Sequence, residues 1–246
     1  MGWFSRKSKA AKAAEKKVQA ARKDPSQIAV ARQAVLDEDL SNSERIALLE
    51  ELNAAPRYRN QRDNSKNPDS TCNFTSMAMA FEGLGMKVGD TATTQGEEAI
   101  YKDFYRRGNS SRIDGNQRER YARQRGLKSQ TLDTPAFTNA AAAKKWFEVH
   151  ITPHMHAGAQ ATVGIQQGSF RHIVRLQWIE DKGLRVDDPW GHLVGQGEKG
   201  IGYAKKNDTK RDSVGDQAGA GNDNFLDWAS VATVLSNRYV QLYQTK

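Results

Sequence analysis

The spacing of apolar residues changes part-way along this 246-residue chain, and that change limits the possible folds more than any other feature. Before residue 150 the apolar residues recur at helical spacing, which predicts helices near 72–84, 96–107, 115–125 and 138–149. Beyond it, β-branched or alternating stretches separated by the turn signals QQGS and EDKG predict strands at 159–165, 171–179 and 183–188. A helix near 225–235 and the strand RYVQLYQ follow. Helices first and an antiparallel sheet afterwards predict an α+β domain.

The first 55 residues differ in composition from the rest, and we expect residues 1–55 to be a basic helical extension of a domain that spans 56–246. An Asp24-Pro25 pair predicts one helix start, and the capping box from Ser41 to Glu44 predicts another. The segment 6–23 is rich in Ala and Lys, so we expect a solvated helix that docks on another surface. Eight basic and two acidic side chains among residues 1–24 give this segment +6 of the net charge of +8.

The basic charges of residues 1–24 help to indicate which partners the chain binds. Basic clusters bind nucleic acid by releasing counterions, but no aromatic residue after Phe4 is interleaved with them, so nucleic acid is not expected. A protein partner for residues 1–54, in a virion or secretion assembly, is the alternative. No apolar run approaches the ~18 residues of a membrane span, and the first residues lack the apolar block of a secretory signal. We therefore expect no membrane span and no signal peptide.

The chain has a single cysteine, Cys72, in the stretch DNSKNPDSTCNFTSMAMAF, where a polar loop becomes an apolar helix. A thiol in the first turn of a helix has a lowered pKa because the aligned peptide dipoles favour the thiolate. The alternative is a buried cysteine that acts as a small apolar residue. Position alone does not separate a nucleophile from a core thiol.

A cysteine hydrolase also needs a histidine base and a group that orients it. Of the five histidines, only His172 begins a predicted strand, and this strand turns at 181–183 and returns to Asp188. A strict two-residue turn would set His172 nearer residue 191, so the pairing needs an offset or a bulge. That register leaves His192 as a weaker rival, and Asp187 takes the role of Asp188 if the pairing shifts by one residue.

A second group of histidines lies in HITPHMH, which brings His150, His154 and His156 close together in sequence. Imidazoles often bind metals. No cysteine or carboxylate accompanies them in the segment, so a zinc site is the less favoured reading, and we expect neither a metal nor another cofactor.

Two blocks, QRDNSKNPDSTCNFTSMAMAFEGLG and RHIVRLQWIEDKGLRVDDPWG, resemble the papain-like cysteine peptidases related to bacteriocin leader-processing domains, in their stand-alone bacterial and phage branch. The resemblance covers roughly residues 57–246. It implies a papain-like fold in which a helical lobe carries the catalytic cysteine at a helix N-terminus and an antiparallel sheet carries the histidine and the aspartate.

The resemblance also implies roles for individual residues. Cys72 is similar to the nucleophile, His172 to the general base and Asp188 to the orienting acid, while Gln61 matches the glutamine that completes an oxyanion hole with the backbone N–H of the cysteine. Asn64 and Asn73 match further family positions, at the loop and the helix start, and are expected near the substrate. Trp190 lies beside Asp188 in the sequence, so we expect it to form a wall of the site. The chain departs from the family at Arg171, where a glycine is common, and in 195–223, which we expect to be a long surface loop.

We therefore expect a thiol hydrolase that cleaves amide or peptide bonds, with bacterial or phage peptidoglycan hydrolysis as the leading function. The corresponding location is the host cytoplasm or a virion, with action on the cell wall. One alternative is a protein-directed cysteine peptidase or deamidating toxin that uses the same triad. The other is a virion structural protein that retains a papain-like fold with an idle site.

Overall fold

The computed structural model describes residues 8–37, 39–206 and 221–246, and within them the chain is a mixed α+β structure. A helical N-terminal region precedes a six-stranded antiparallel sheet, which confirms the predicted α+β class. The helices are α1 (Lys9–Lys23), α2 (Ile28–Asp37), α3 (Asn42–Asn53), α4 (Cys72–Gly83), α5 (Gly96–Arg106), α6 (Gly115–Gln124), α7 (Ala140–His150), α8 (Thr152–His156) and α9 (Trp228–Val234). The strands are β1 (Lys128–Asp133), β2 (Gln160–Gln167), β3 (Phe170–Glu180), β4 (Gly183–Asp187), β5 (Gly191–Gly195), β6 (Ile201–Lys206), β7 (Asn224–Asp227) and β8 (Tyr239–Gln244).

The six-stranded sheet has the order β1-β8-β2-β3-β4-β7, and β5 pairs with β6 in a separate hairpin. At its centre, β2 and β3 pair so that Ile165 lies opposite His172 and Val163 opposite Val174. Successive side chains of β2 point to opposite faces, and its residues from Gln160 to Ile165 are all buried, so both faces of this central strand are covered. The strand β3 thus carries His172 near its beginning, at the edge of the buried face.

The first three helices pack together and share a hydrophobic core with the sheet. The predicted capping box is confirmed, since Ser41 accepts from the N–H of Glu44 and the Glu44 carboxylate accepts from that of Ser41. Asp24 caps a short 3₁₀ helix, Pro25–Gln27, which leads into α2. Helix α1 buries a stripe of small side chains: Ala11, Ala14, Val18 and Ala21. The exposed lysines of α1 therefore lie on the other face of a docked helix, and the domain boundary at residue 55 stays a prediction.

Helix α4 belongs to a second hydrophobic cluster, in which it packs with α5 and α6 and with Tyr243 of β8. Nearly its whole length is buried, from Asn73 to Gly83. The helix stops where Gly85 adopts a φ of +78°, a conformation that disfavours other residues. A Cβ at Gly85 would also lie 2.4 Å from the backbone of Ala29, so this glycine lets α2 approach the end of α4.

Three predictions about secondary structure need correction. The strand β1 was not predicted, because KSQTLD is polar and only Leu132 is a large apolar residue; as an edge strand it pairs with β8 alone. The predicted surface loop 195–223 contains β6, whose hairpin with β5 begins at Gly191, and residues 207–220 of that prediction lie outside the described residues. The predicted helix at 225–235 begins later, at Trp228, because the preceding segment pairs with β4.

A buried polar network ties the N-terminal helices to the sheet. The side chain Oδ1 of Asn53 accepts from Nη2 of Arg32 at 2.8 Å and from Nε2 of Gln160 at 2.6 Å. Its Nδ2 donates to the carbonyl of Gln177 in β3, and its own carbonyl accepts from Arg175. Burial and the neighbouring Arg175 lower the pKa of Arg32 to about 9. The network fixes the end of α3 against the strands that carry the site.

Among the described helices, none combines the length and the apolar character that crossing a bilayer requires.

Candidate active site

Cys72 is the first residue of α4, as the sequence predicts. Thr71 precedes it with non-helical dihedral angles and its carbonyl accepts from the N–H groups of Phe74 and Thr75, which closes the first turn. The N–H groups at the start of a helix have no partner inside it, so the positive end of the α4 dipole lies at the thiol. The thiol is half-buried and not disulfide-bonded, and it lines an open cleft.

A bulge in the β3–β4 hairpin places the other two candidate residues on one face of the sheet. Next to the turn the pairing runs Glu180 with Gly183, but the register shifts by one residue between Leu176 and Trp178. Without that shift, His172 would align with residue 191 and share its face with Asp187. With the shift, the alternation brings His172 and Asp188 to the same face.

The contacts of the two carboxylates agree with this register. The ring Nε2 of His172 lies 2.7 Å from Oδ1 of Asp188, and both side chains are buried. The carboxylate of Asp187 instead pairs with Nη1 of Arg175 at 2.6 Å, opposite it across the hairpin. The alternative in which Asp187 orients the histidine therefore does not match the contacts of His172.

The Asp188 carboxylate is held by further donors. Its Oδ1 also accepts from the backbone N–H of Trp190 at 2.6 Å, and its Oδ2 accepts from the hydroxyl of Tyr203 at 2.8 Å. The backbone of Asp188 is fixed as well, because its carbonyl accepts from the hydroxyl of Tyr58 and its N–H donates to Gly221. A Cβ at Gly221 would lie 1.8 Å from that carbonyl oxygen, so only glycine fits there.

The protonation of the thiol and the imidazole is coupled. Burial opposes ionisation of Cys72, but the charge of His172 and hydrogen bonds from that ring and from the backbone of Ile173 hold the pKa of Cys72 below its ordinary value of 9.0. Burial likewise disfavours the charged imidazole, but Asp188 and the Cys72 thiolate raise the pKa of His172 to about 10. The lowered pKa of Cys72 and the raised pKa of His172 both favour a thiolate beside an imidazolium near neutral pH.

Gln61 is buried beside the cleft that Cys72 lines. One N–H of its side chain donates to the carbonyl of Pro68 at 2.8 Å, and its backbone N–H donates to Pro189 in the segment that follows Asp188. A carboxamide has two N–H donors. The contact with Pro68 engages one of them and fixes the amide plane, which leaves the second donor for a ligand.

The two asparagines that the sequence singles out hold the loops around α4. Asn64 donates to the hydroxyls of Thr71 and Thr75 and is not a lining residue of the cleft, so its substrate contact stays a prediction. Asn73 lines the cleft, and its Nδ2 donates to the carbonyl of Arg112 at 2.7 Å. Asn73 thereby holds the connection between α5 and α6 at the cleft wall.

The cleft has a volume of about 460 Å³ and is open on one side of the thiol. Trp190 lines it, as the sequence predicts, with the guanidinium of Arg62 4.4 Å from its ring centre. Opposite walls come from β2, β3, β8 and the α5–α6 connection, and include Ile165, Phe170, Tyr239 and Ile113. A cleft of this size accommodates a short stretch of peptide.

Several residues of the site were not singled out from the sequence. Tyr58 contacts Asp188 from a segment 130 residues away in the chain. Tyr203 contacts it from β6, within the stretch predicted to be a loop. Burial and the nearby Asp188 raise the pKa of Tyr203, which keeps it a hydrogen-bond donor. No short motif marks these tyrosines, because their contacts depend on the tertiary fold.

The remaining histidines lie away from this arrangement. His192 is exposed in β5, and His150, His154 and His156 lie on α7 and α8, where His156 contacts the ring of Trp178. Within the residues that the structure describes, no three His, Cys, Asp or Glu side chains are grouped so as to hold a metal ion.

Comparison with protein-family models, with curated protein sequences and with solved structures finds no match to this chain.

Proposed function

We propose that the protein is a thiol hydrolase of papain-like type that cleaves amide or peptide bonds, with Cys72 as nucleophile, His172 as general acid and base, and Asp188 as the orienting carboxylate. The observation that carries this proposal is the assembly of the three side chains at an open cleft. The thiol begins a helix and lines the cleft together with His172, and the imidazole of His172 contacts a buried carboxylate at 2.7 Å. A structural cysteine does not require any of these neighbours.

The two ring nitrogens of His172 have different roles in the proposed mechanism. Since Nε2 of His172 donates to Asp188, Nδ1 is the nitrogen left to exchange a proton with the thiol. The thiolate attacks the acyl carbon, the C–N bond breaks, and the imidazolium gives its proton to the leaving amine. Water then adds to the thioester, gives a proton back to His172 and releases the acid. The Cys72 sulfur leaves as thiolate, which restores the pair.

The negatively charged oxygen of the tetrahedral intermediate is stabilised by hydrogen-bond donors. The backbone N–H of Cys72 at the start of α4 and the second N–H of Gln61 are the groups that we assign to this role. Loss of one such donor typically lowers the rate by about 10²–10³-fold. Replacement of Gln61 by Ala is therefore expected to slow hydrolysis by about that factor.

Peptidoglycan is the substrate that we propose first. The cleft is wide enough for a peptide cross-link, and the excess of positive charge in residues 1–24 favours association with an anionic polymer such as a cell wall. A protein-directed peptidase or deamidase would use the same three residues on a different amide.

The test is digestion of purified peptidoglycan by the wild type and by Cys72→Ser, with products identified by mass spectrometry. We expect new free amines and acids only with the wild type. Circular dichroism of both proteins verifies that the variant is folded. Fragments from both proteins, or from neither, contradict wall hydrolysis by this thiol. If neither releases fragments, rapid alkylation of Cys72 at pH 7 points to another amide substrate, and slow alkylation points to a structural protein with an idle site.

A further inference from the structure

The walls of the cleft carry an excess of positive charge. Three arginines line it, Arg112, Arg171 and Arg238, and Asp69 is the one carboxylate among its lining residues in the described chain. The Asp69 side chain is 78% exposed and lies 3.8 Å from Arg62, whose charge offsets it. Across the described residues, none of the three lining arginines forms an ion pair with a carboxylate.

The three guanidinium groups reach the cleft from separate parts of the fold. Arg171 directly precedes His172 in β3, Arg238 directly precedes β8, and Arg112 lies in the connection between α5 and α6. Arg112 is oriented by the carbonyl of Ser70, which accepts from its Nε at 2.9 Å, just before the start of α4. Three unrelated segments thus place cations around one thiol, and within the part of the chain that the structure describes these cations have no carboxylate partner.

The other lining residues favour a peptide over a bare polyanion. Ile113 is 80% exposed and Phe170 is 37% exposed, and both lie on the cleft walls with the half-buried rings of Trp190 and Tyr239. Large apolar side chains exposed around a cavity indicate contacts with apolar groups of a ligand. The cleft therefore offers apolar contacts and cationic contacts together, which matches an acidic peptide.

We propose that the cleft selects peptide substrates that carry a carboxylate close to the scissile amide, and that Arg112, Arg171 and Arg238 form this selectivity. The proposal rests on the proposed thiol hydrolase and names its substrate class. The guanidinium groups bind carboxylates through charge-assisted hydrogen bonds, while the thiolate attacks the neighbouring acyl carbon.

Affinity-labelling of Cys72 tests this selectivity without a known substrate. The probes are bromoacetyl-glutamyl-alaninamide and its glutaminyl counterpart, which have nearly the same shape and differ in one carboxylate. In each reaction the thiolate displaces bromide and forms a thioether. The rate ratio of the acidic to the neutral probe is compared with the ratio for 2-mercaptoethanol, so that differences in intrinsic reactivity cancel.

We expect the acidic probe to be favoured about fivefold over the 2-mercaptoethanol reference at low salt, and less in 0.5 M NaCl. Arg171→Gln and Arg238→Gln are each expected to lower the ratio, and the double variant, which keeps Arg112, is expected to lower it further than either single variant. Lys182→Gln is the matched control, because it removes one positive charge from the exposed turn at the other end of the β3–β4 hairpin. It is expected to leave the ratio unchanged.

A wild-type ratio equal to the reference overturns the selectivity. A double arginine variant that keeps the full wild-type ratio overturns it as well. Protection of Cys72 by oligothymidylate, where a glutamate-rich peptide gives none, overturns the assignment of a peptide and points to nucleic acid. The neutral probe separates this proposal from the proposed function. If it labels Cys72 no faster than it labels 2-mercaptoethanol at pH 7, the activated thiol itself is disproved; if labelling is fast and the ratio equals the reference, only the selectivity fails.

Discussion

At the scale of single residues, the adjacent Asp187 and Asp188 have opposite surroundings. Asp188 accepts hydrogen bonds from His172, Trp190 and Tyr203. Asp187 pairs with the buried Arg175, and burial raises the pKa of Asp187 although this arginine opposes the shift. One carboxylate is therefore placed to act on the imidazole, and the other neutralises an arginine that holds the sheet to α3.

The two aspartates are expected to respond differently to the same substitution. Asp188→Asn removes the charge that raises the pKa of His172, so the imidazolium is lost at lower pH. We expect amide hydrolysis to fall by about 10²-fold or more, with little change in fold. The alkaline limb of the pH–rate profile should move below the value of about 10 expected for the wild type.

Asp187→Asn serves as the neighbouring control. It leaves the Arg175 guanidinium, which is 1% exposed, without its anionic partner, and breaking a buried pair in this way costs about 3–5 kcal/mol. Urea denaturation should show this loss of stability, while the pH profile of the folded variant stays that of the wild type. An unshifted profile in Asp188→Asn together with a shifted one in Asp187→Asn would reverse the assignment.

At the scale of secondary-structure elements, the bulge at residue 177 decides which aspartate faces the histidine. The sequence predicts the β3–β4 hairpin and the need for an offset, but it does not locate the bulge. At the bulge the carbonyl of Gln177 accepts from Nδ2 of Asn53 at the end of α3, more than a hundred residues earlier, and we expect this contact to hold the bulge in place. A local pattern does not contain that contact, so the sequence alone leaves both Asp187 and Asp188 as candidates.

Asn53→Ala tests the role of this contact. The substitution leaves the carbonyl of Gln177 and the donors of Arg32 and Gln160 without their buried partner. Each such group costs about 1–3 kcal/mol, so we expect a loss of several kcal/mol in urea denaturation and slower alkylation of Cys72. Ser41→Ala is the control, since it removes only the cap of α3, costs about 1 kcal/mol and should leave Cys72 unaffected. Equal effects of the two variants on Cys72 reactivity would contradict a specific role for Asn53.

The elements were predictable from sequence to different degrees. The start of α4 at Cys72 and the capping box at Ser41 follow from local chemistry, and the structure agrees with both. The polar edge strand β1 and the strand β6 were missed, because their pairing partners, rather than their own sequences, determine their conformation. The same holds for the residues of the candidate site. Cys72, His172 and Asp188 lie in recognisable sequence blocks, whereas Tyr58 and Tyr203 contact Asp188 only in the folded chain, so the sequence does not predict their roles.

At the scale of the whole molecule, the N-terminal helices and the sheet share one hydrophobic cluster. Val18, Leu49 and Leu52 from the helices belong to the same cluster as Val174 and Leu176 of β3. The polar network around Asn53 crosses the same boundary. The basic charge of α1 is thus carried by a helix that also contributes buried surface to the core.

A truncated chain, 55–246, is expected to lose this shared core. Its sheet would expose the surface that α1–α3 cover, so we expect low solubility and a non-cooperative thermal transition by circular dichroism. The control is Lys12→Gln with Lys16→Gln, which removes charge from exposed positions of α1 and should change stability by less than about 0.5 kcal/mol. A truncated chain with the cooperative melt and the Cys72 reactivity of the full chain would show that the helices are an independent extension.

The most direct measurement of the central claim is the pH dependence of Cys72 alkylation by iodoacetamide, in the wild type and in His172→Gln. We expect a wild-type midpoint below the ordinary thiol pKa of 9.0, because the imidazolium stabilises the thiolate. In His172→Gln the charge and the ring hydrogen bond that oppose the effect of burial are lost, while the backbone hydrogen bond from Ile173 remains. The midpoint should therefore rise towards 9.0 or above. Coincident midpoints in the two proteins would show that the imidazole does not activate this thiol.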